Sequence, residues 1–162
     1  MPGGFPPDPA GGVGAGTGTG VPPQGGGISA VRMPNSPRDL YNAALADYMS
    51  GLYDLAIGGF KDFVEKFPQT PDAARALFYI GESHIAMKRY KEALAVHADV
   101  VARFKDSEAA RDALFSVGNT NLLIGNKAEA EKAFRRIIAD YPNSEQTVRA
   151  RQRLTFMGIK GE

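Results

Sequence analysis

The 162-residue chain contains no cysteine and no tryptophan. Without cysteine it can form no disulfide bond, no thiolate metal site and no cysteine nucleophile. Its only histidines are His84 and His97, so common metal ligands and general bases are scarce. We interpret both histidines as packing residues and predict no enzymatic activity, no catalytic residue, no metal site and no cofactor.

Excess charge and long apolar runs are also missing. The formal net charge is +1, which argues against a nucleic-acid-binding protein, because such proteins usually carry a basic domain. No apolar run approaches the roughly 18 residues that a membrane span needs. The first residues, 1–5, have neither the basic stretch nor the apolar core of a signal peptide. If the protein is exported, we expect that this chain has lost its export signal.

Glycine and proline are concentrated in residues 1–35, which hold 11 of the 19 glycines and 7 of the 11 prolines. Asp8 and Arg32 are the only acidic or basic residues there. No apolar strand precedes the glycine run, so a phosphate-binding loop is disfavoured. We predict a disordered linker at 1–35, a globular domain at 36–157 and a short tail at 158–162.

The globular part repeats itself every 37 residues. Ala56, Ala93 and Ala130 lie 37 residues apart, and four further columns share that spacing: Ala44/Gly81/Gly118, Tyr41/Phe78/Phe115, Phe60/His97/Phe134 and Phe67/Phe104/Tyr141. We predict three two-helix repeats, at about 37–70, 74–107 and 111–144, followed by a capping helix at 145–157. Such a unit cannot bury its apolar face alone, so the fold class is an all-α solenoid of stacked hairpins.

Helix start and stop signals support this division. Four serine or threonine N-caps precede acidic residues or proline: Ser36, Thr70, Ser107 and Ser144. Glycines mark the turns inside units one and three, while Lys88 and Arg89 occupy the equivalent turn of unit two. The predicted helices span 37–50, 53–67, 73–87, 90–104, 109–124, 127–141 and 145–157.

Small residues recur in the middle of the first helices, where glycine costs up to about 1 kcal/mol relative to alanine. We expect Gly81 and Gly118 to allow close approach of Ala93 and Ala130 on the paired helix. Unit two departs from the pattern with His97 in an aromatic column and Lys105 in place of a proline. We expect this departure to loosen the junction between units two and three.

The repeats resemble the tetratricopeptide repeat family. The residues that carry the resemblance are Leu40, Ala44, Tyr48, Tyr53, Ala56, Phe60 and Pro68 in unit one, Leu77, Gly81, Tyr90 and Ala93 in unit two, and Leu114, Gly118, Ala130, Phe134 and Pro142 in unit three. The resemblance implies a protein–protein interaction scaffold that binds a helical or extended peptide segment.

A narrower resemblance rests on the junctions Phe67-Pro68-Gln69-Thr70 and Tyr141-Pro142-Asn143-Ser144 and on the opening Leu40–Tyr48 segment. These features are similar to the C-terminal domain of the Tol-Pal system family YbgF/CpoB. That resemblance implies a periplasmic protein that binds TolA and coordinates outer-membrane constriction with septal peptidoglycan synthesis. The family's trimerising coiled coil is absent, which leaves the oligomeric state open. The alternatives are a repeat lipoprotein of the outer-membrane β-barrel assembly machine, or a cytosolic assembly adaptor.

The first helices of such repeats line a concave groove. We predict that the groove residues lie one turn apart, on the side away from the paired helix: Tyr41, Leu45, Tyr48, Phe78, Glu82, Ile85, Phe115, Asn119 and Leu122. Aromatic rings beside single polar groups suit peptide capture. Cytosolic chaperone adaptors of this fold grip a carboxylate with lysine and asparagine. Tyr41 and Leu45 occupy the corresponding first-unit positions, so we expect no such clamp.

Overall fold

The computed structural model describes residues 36–160. The predicted linker at 1–35 and the last two residues of the predicted tail lie outside this range. The described part is all-helical, with seven helices and no strand: α1 Pro37–Met49, α2 Tyr53–Lys66, α3 Pro71–Ala86, α4 Tyr90–Arg103, α5 Glu108–Leu123, α6 Lys127–Asp140 and α7 Glu145–Phe156. The predicted fold class is confirmed.

The N-caps of α1, α3, α5 and α7 form as expected. In each, the side-chain oxygen accepts a hydrogen bond from the backbone N–H three residues later, at 3.0–3.2 Å: Ser36, Thr70, Ser107 and Ser144. Helix α3 begins two residues before the predicted start, because Pro71 takes the first helical position directly after the Thr70 cap. These caps satisfy backbone donors that the start of a helix leaves unpaired.

The turns inside the three hairpins share one left-handed backbone conformation. In each turn one residue has positive φ: 76° at Gly51, 59° at Lys88 and 83° at Gly125. In unit two the Arg89 N–H donates to the His84 carbonyl over 2.8 Å, which is the hydrogen bond of a Schellman helix end. Lys88 therefore adopts a conformation that glycine adopts at lower cost.

Helix α7 caps the stack. It begins at a serine cap, like α1 and α5, and is followed by Gly158 at a φ of 78°. Ala150 and Leu154 are fully buried, whereas Val148 is 56 % exposed. Helix α7 therefore covers the end of unit three with one face and leaves the other exposed.

The glycines in the middle of α3 and α5 lie against aromatic rings of their own hairpin. A Cβ placed on Gly118 would lie 2.4 Å from Cε1 of Phe134, and one on Gly81 would lie 2.5 Å from Cε1 of His97. The three atoms nearest to each position belong to the ring, and the facing of Ala93 and Ala130 stays a prediction. The absence of a side chain at each glycine leaves the space that an aromatic ring of the paired helix fills.

The helices pack as two layers. Each helix contacts its neighbours in the chain. In addition, α1 contacts α3, α3 contacts α5, and α5 contacts α7. Within residues 36–160, the second helices α2, α4 and α6 make no such contacts among themselves. The first helices are therefore drawn together, and their side forms the concave face of the solenoid.

Candidate peptide-binding groove

A depression of about 510 Å³ lies on the concave face and spans the first helices of all three units. Helices α1, α3 and α5 and the residue before α5 contribute its lining: Tyr41, Leu45, Pro71, Asp72, Arg75, Tyr79, Ser107, Glu108 and Ala109. We call this depression the groove. It presents aromatic, aliphatic and charged side chains within one surface.

Eight of the nine predicted groove residues are partly exposed: Tyr41, Leu45, Tyr48, Phe78, Glu82, Ile85, Asn119 and Leu122. The ninth, Phe115, is 6 % exposed, and the Arg149 guanidinium covers its ring at 4.2 Å from the centroid. Tyr41 and Leu45 line the groove directly. Phe115 belongs to the core and offers no open surface to a ligand.

The aromatic column at Tyr41, Phe78 and Phe115 faces the paired helix, so the prediction that it faces away is wrong. The Tyr41 ring lies 5.4 Å from the Phe63 ring, and Phe115 lies 5.7 Å from Phe134. Phe78 lies 5.5 Å from the His97 ring. These rings join the two helices of each hairpin.

Tyr79 is a groove residue that the sequence pattern did not identify. Its ring stacks on Phe60 at 5.5 Å with an interplanar angle of 11°, and it lies 4.9 Å from the Tyr48 ring. Arg75 lies one turn before it and Glu82 one turn after it, so the three follow one face of α3. The sequence pattern predicted Phe78 instead, one residue before Tyr79, and one residue corresponds to about 100° around a helix.

Polar contacts join neighbouring helices of the concave layer. Arg75 Nη2 lies 3.0 Å from Glu108 Oε2, which joins α3 to α5. Gln146 Nε2 donates to Asp112 Oδ1 over 2.6 Å, which joins α5 to α7. The two partners of each contact are 33 or 34 residues apart in the chain, slightly less than the 37-residue repeat, so each contact joins one unit to the next.

Glu82 joins three helices at the junction of units two and three. The Ser116 hydroxyl on α5 donates to Glu82 Oε1 over 2.7 Å, and His97 Nε2 on α4 lies 3.2 Å from the same oxygen. The ring N–H of His97 is not aligned along this line, so the contact falls short of a hydrogen bond. A polar bridge therefore stands at the junction of units two and three, and the expected loosening there stays a prediction.

The ionisation of the groove follows from this burial. Burial raises the pKa of Glu82, but Ser116 and His97 together lower it by more, so the pKa lies below its usual value and the carboxylate is charged at neutral pH. Burial raises the pKa of Tyr41 and of Tyr48, which keeps both hydroxyls protonated. Glu82 lies one turn beyond the groove residue Tyr79 on α3, so a fixed negative charge stands beside the aromatic lining of the groove.

The described residues contain no group of three or more histidine, cysteine, aspartate or glutamate side chains placed to hold a metal ion. His97 is completely buried, and burial lowers the pKa of the partly exposed His84. Between residues 36 and 160, no helix is long and apolar enough to cross a membrane.

Three antiparallel helix pairs, a 37-residue period and a concave layer of first helices define a protein of the tetratricopeptide-repeat class. Residues 33–158 match the family YfiO, described as outer membrane lipoprotein. The match spans most of the chain, so the chain belongs to the YfiO outer membrane lipoprotein family. No curated protein matches the sequence. The narrower Tol-Pal assignment stays a prediction.

Several solved structures share this fold. SycD, the type III secretion translocator chaperone of Yersinia enterocolitica, is 23 % identical with a TM-score of 0.62, over 75 % of this chain and 91 % of SycD. PcrH in complex with the chaperone binding region of PopB is 21 % identical with a TM-score of 0.59, over 70 % of this chain and 90 % of PcrH. The first TPR domain of Spaghetti (RPAP3), bound to the HSP90 peptide SRMEEVD, is 16 % identical with a TM-score of 0.59, over 75 % of this chain and 91 % of that one. These likenesses confirm the fold.

Proposed function

We propose that this protein is a non-catalytic scaffold of the bacterial cell envelope, which holds partner proteins by binding a peptide segment in the groove. The observation that carries the proposal is the depression of about 510 Å³ shared by the first helices of all three units. A segment laid along it would contact every repeat at once. Aromatic and aliphatic walls with a few polar groups are the usual features of a peptide-binding surface.

The structural relatives support a peptide ligand. PcrH is seen with the chaperone binding region of PopB, and the Spaghetti domain is seen with an HSP90 peptide. The groove of this chain differs in its chemistry, because Tyr41 and Leu45 stand where a carboxylate clamp would need lysine and asparagine. A segment with its own apolar side chains therefore suits the groove better than one recognised by a terminal carboxylate.

The family match supports a role at the outer membrane, since the family is described as outer membrane lipoprotein. It favours the alternative that arose from the sequence, a repeat scaffold in outer-membrane protein assembly. The junction motifs support a second candidate, a periplasmic Tol-Pal adaptor that binds TolA and helps coordinate envelope constriction with peptidoglycan synthesis. Both candidates use the same groove and differ in the partner.

Calorimetric titration separates the two candidates. The full chain is titrated with the periplasmic part of TolA and, separately, with the periplasmic domain of the β-barrel assembly protein, both from the same organism. We expect saturable binding of micromolar affinity or tighter to one of them. Absence of binding to both proteins would rule out both candidate partners.

A groove variant locates the binding surface. Tyr41 and Phe78 pack inside their hairpins, so their replacement would damage the fold, whereas Leu45 is partly exposed in the groove. We expect Leu45→Ala to weaken binding at least fivefold, with the melting temperature measured alongside. Leu55→Ala removes an apolar side chain of the same kind that is 61 % exposed on α2, and it should bind like the wild type. Equal binding by both variants would place the site elsewhere.

A further inference from the structure

The Glu82 carboxylate is used on one side only. Its contacts with Ser116 and His97 both go to Oε1, which leaves Oε2 open to a further donor. The side chain is 25 % exposed, so the remaining opening is narrow and Oε2 is accessible to solvent. Two neighbours therefore hold the carboxylate in place, and one of its oxygens remains available.

The charge of Glu82 lacks a strong cationic partner. Among residues 36–160, no lysine or arginine nitrogen lies within 4.0 Å of it. Of the other acidic residues that link these helices, Glu108 pairs with the cation of Arg75, whereas Asp112 accepts from the neutral amide of Gln146. Half-burial removes much of the water that would solvate the Glu82 charge, so a cation brought to Oε2 would be strongly attracted.

Aromatic rings stand beside this carboxylate. Burial raises the pKa of Tyr48, and the nearby charge of Glu82 raises it further. Tyr79 lies one turn before Glu82 on α3 and 4.9 Å from the Tyr48 ring. Rings of this kind favour cations as well as apolar groups.

We propose that the groove, extended along α3 by the one turn from Tyr79 to Glu82, selects a peptide segment carrying a lysine or arginine, whose cation pairs with Glu82 Oε2 beside the rings of Tyr48 and Tyr79. The flanking apolar side chains of the segment pack on Leu45 and the neighbouring rings. A basic side chain fits better than a neutral donor, because it neutralises the charge and its aliphatic stem covers the rings. This inference rests on the proposed peptide-binding function and names the chemistry of the ligand.

The test begins with a random library of 12-residue peptides displayed on phage and selected against the full chain. We expect the selected peptides to share a lysine or arginine flanked by apolar residues. One such peptide is then synthesised with its basic residue and with methionine in that position, and both are titrated. Replacing the basic residue of the peptide with methionine should raise its Kd for the wild-type protein at least tenfold.

Variants of the protein assign that preference to Glu82. Against Glu82→Gln, the two peptides should differ by less than threefold. Glu92→Gln removes the same charge from an exposed position on α4, and it should keep the full difference. Ser116→Ala removes the hydrogen bond to Oε1 but leaves the carboxylate, so it should also keep most of the preference and control for disturbance of the junction.

Two results would overturn the inference while leaving the scaffold function in place. Selected peptides without enriched basic residues would show that the groove binds peptides by other chemistry. A tenfold preference that persists in folded Glu82→Gln would assign it to another residue. Failure to select any peptide would count against the groove itself and therefore against both proposals.

Discussion

At the scale of single residues, the fold depends on positions where a side chain would not fit. Gly118 and Gly81 sit in mid-helix because the rings of Phe134 and His97 occupy the space of their missing side chains. Gly58 is also helical but exposed, and no atom lies within 4 Å of the place that a Cβ would take. Helical glycines therefore have opposite roles here, and packing makes the difference.

This contrast predicts opposite effects of one substitution. Gly118→Ala should lower the free energy of unfolding by about 1–3 kcal/mol, because a buried ring must move to admit the methyl group. Gly58→Ala should raise it by about 0.5–1 kcal/mol, because alanine is the better helix former and meets no obstacle. Urea denaturation followed by circular dichroism measures both. A more stable Gly118→Ala protein would contradict the packing described for unit three.

At the scale of elements, the hairpins are joined by turns with the same backbone geometry and unequal residues. Gly51 and Gly125 adopt positive φ without strain, whereas Lys88 adopts it at 59° with a full side chain. Left-handed backbone costs most residues roughly 1–2 kcal/mol. Unit two therefore keeps the geometry of the repeat at the expense of some stability.

Exchanging the turn residues tests this account. We expect Lys88→Gly to stabilise the protein by about 0.5–1 kcal/mol, since the relief of strain exceeds the added entropy of the unfolded chain. Gly51→Ala should destabilise it by about 1 kcal/mol; no atom lies within 4 Å of the added carbon, so the cost comes from the backbone alone. Thermal unfolding of the two variants gives the comparison. A loss of stability in Lys88→Gly would mean that the lysine side chain makes a contact worth more than the strain.

At the scale of the whole molecule, each unit is stabilised by contacts with the units beside it. Helices contact their chain neighbours, and first helices contact the first helices of adjacent units, so α1 and α7 share no direct contact within the described residues. In such an array the units behave nearly as a one-dimensional series. The ends are then the places where opening begins.

The capping helix provides the test. Leu154 is fully buried, so Leu154→Ala should cost about 2–5 kcal/mol locally. Hydrogen exchange of backbone amides should show the loss of protection mainly in α5, α6 and α7, while α1 and α2 keep theirs. Val148→Ala on the exposed face of the same helix should change little. Equal loss of protection across all seven helices would show a single cooperative unit instead.

The repeat, the helix caps and the hairpin turns could be predicted from the sequence because their signals are local. A serine cap accepts a hydrogen bond from a backbone N–H three residues later, and a turn glycine adopts a positive φ at its own position. The 37-residue period is visible when the chain is aligned with itself. The groove was predicted less well. Tyr41 and Leu45 line it, but Phe115 is buried and Tyr79 was missed.

The amino-acid order alone thus settled which segments are helical, where they begin and turn, and that they stack in three units with a cap. Tertiary packing decided which face of each helix points inward, which ring fills the space at each glycine, and that Glu82 meets Ser116 and His97 from two other helices. The physical reason is geometric. One residue turns a helix face by about 100°, and packing against neighbouring helices fixes the rotation of each helix more finely than its own apolar pattern does.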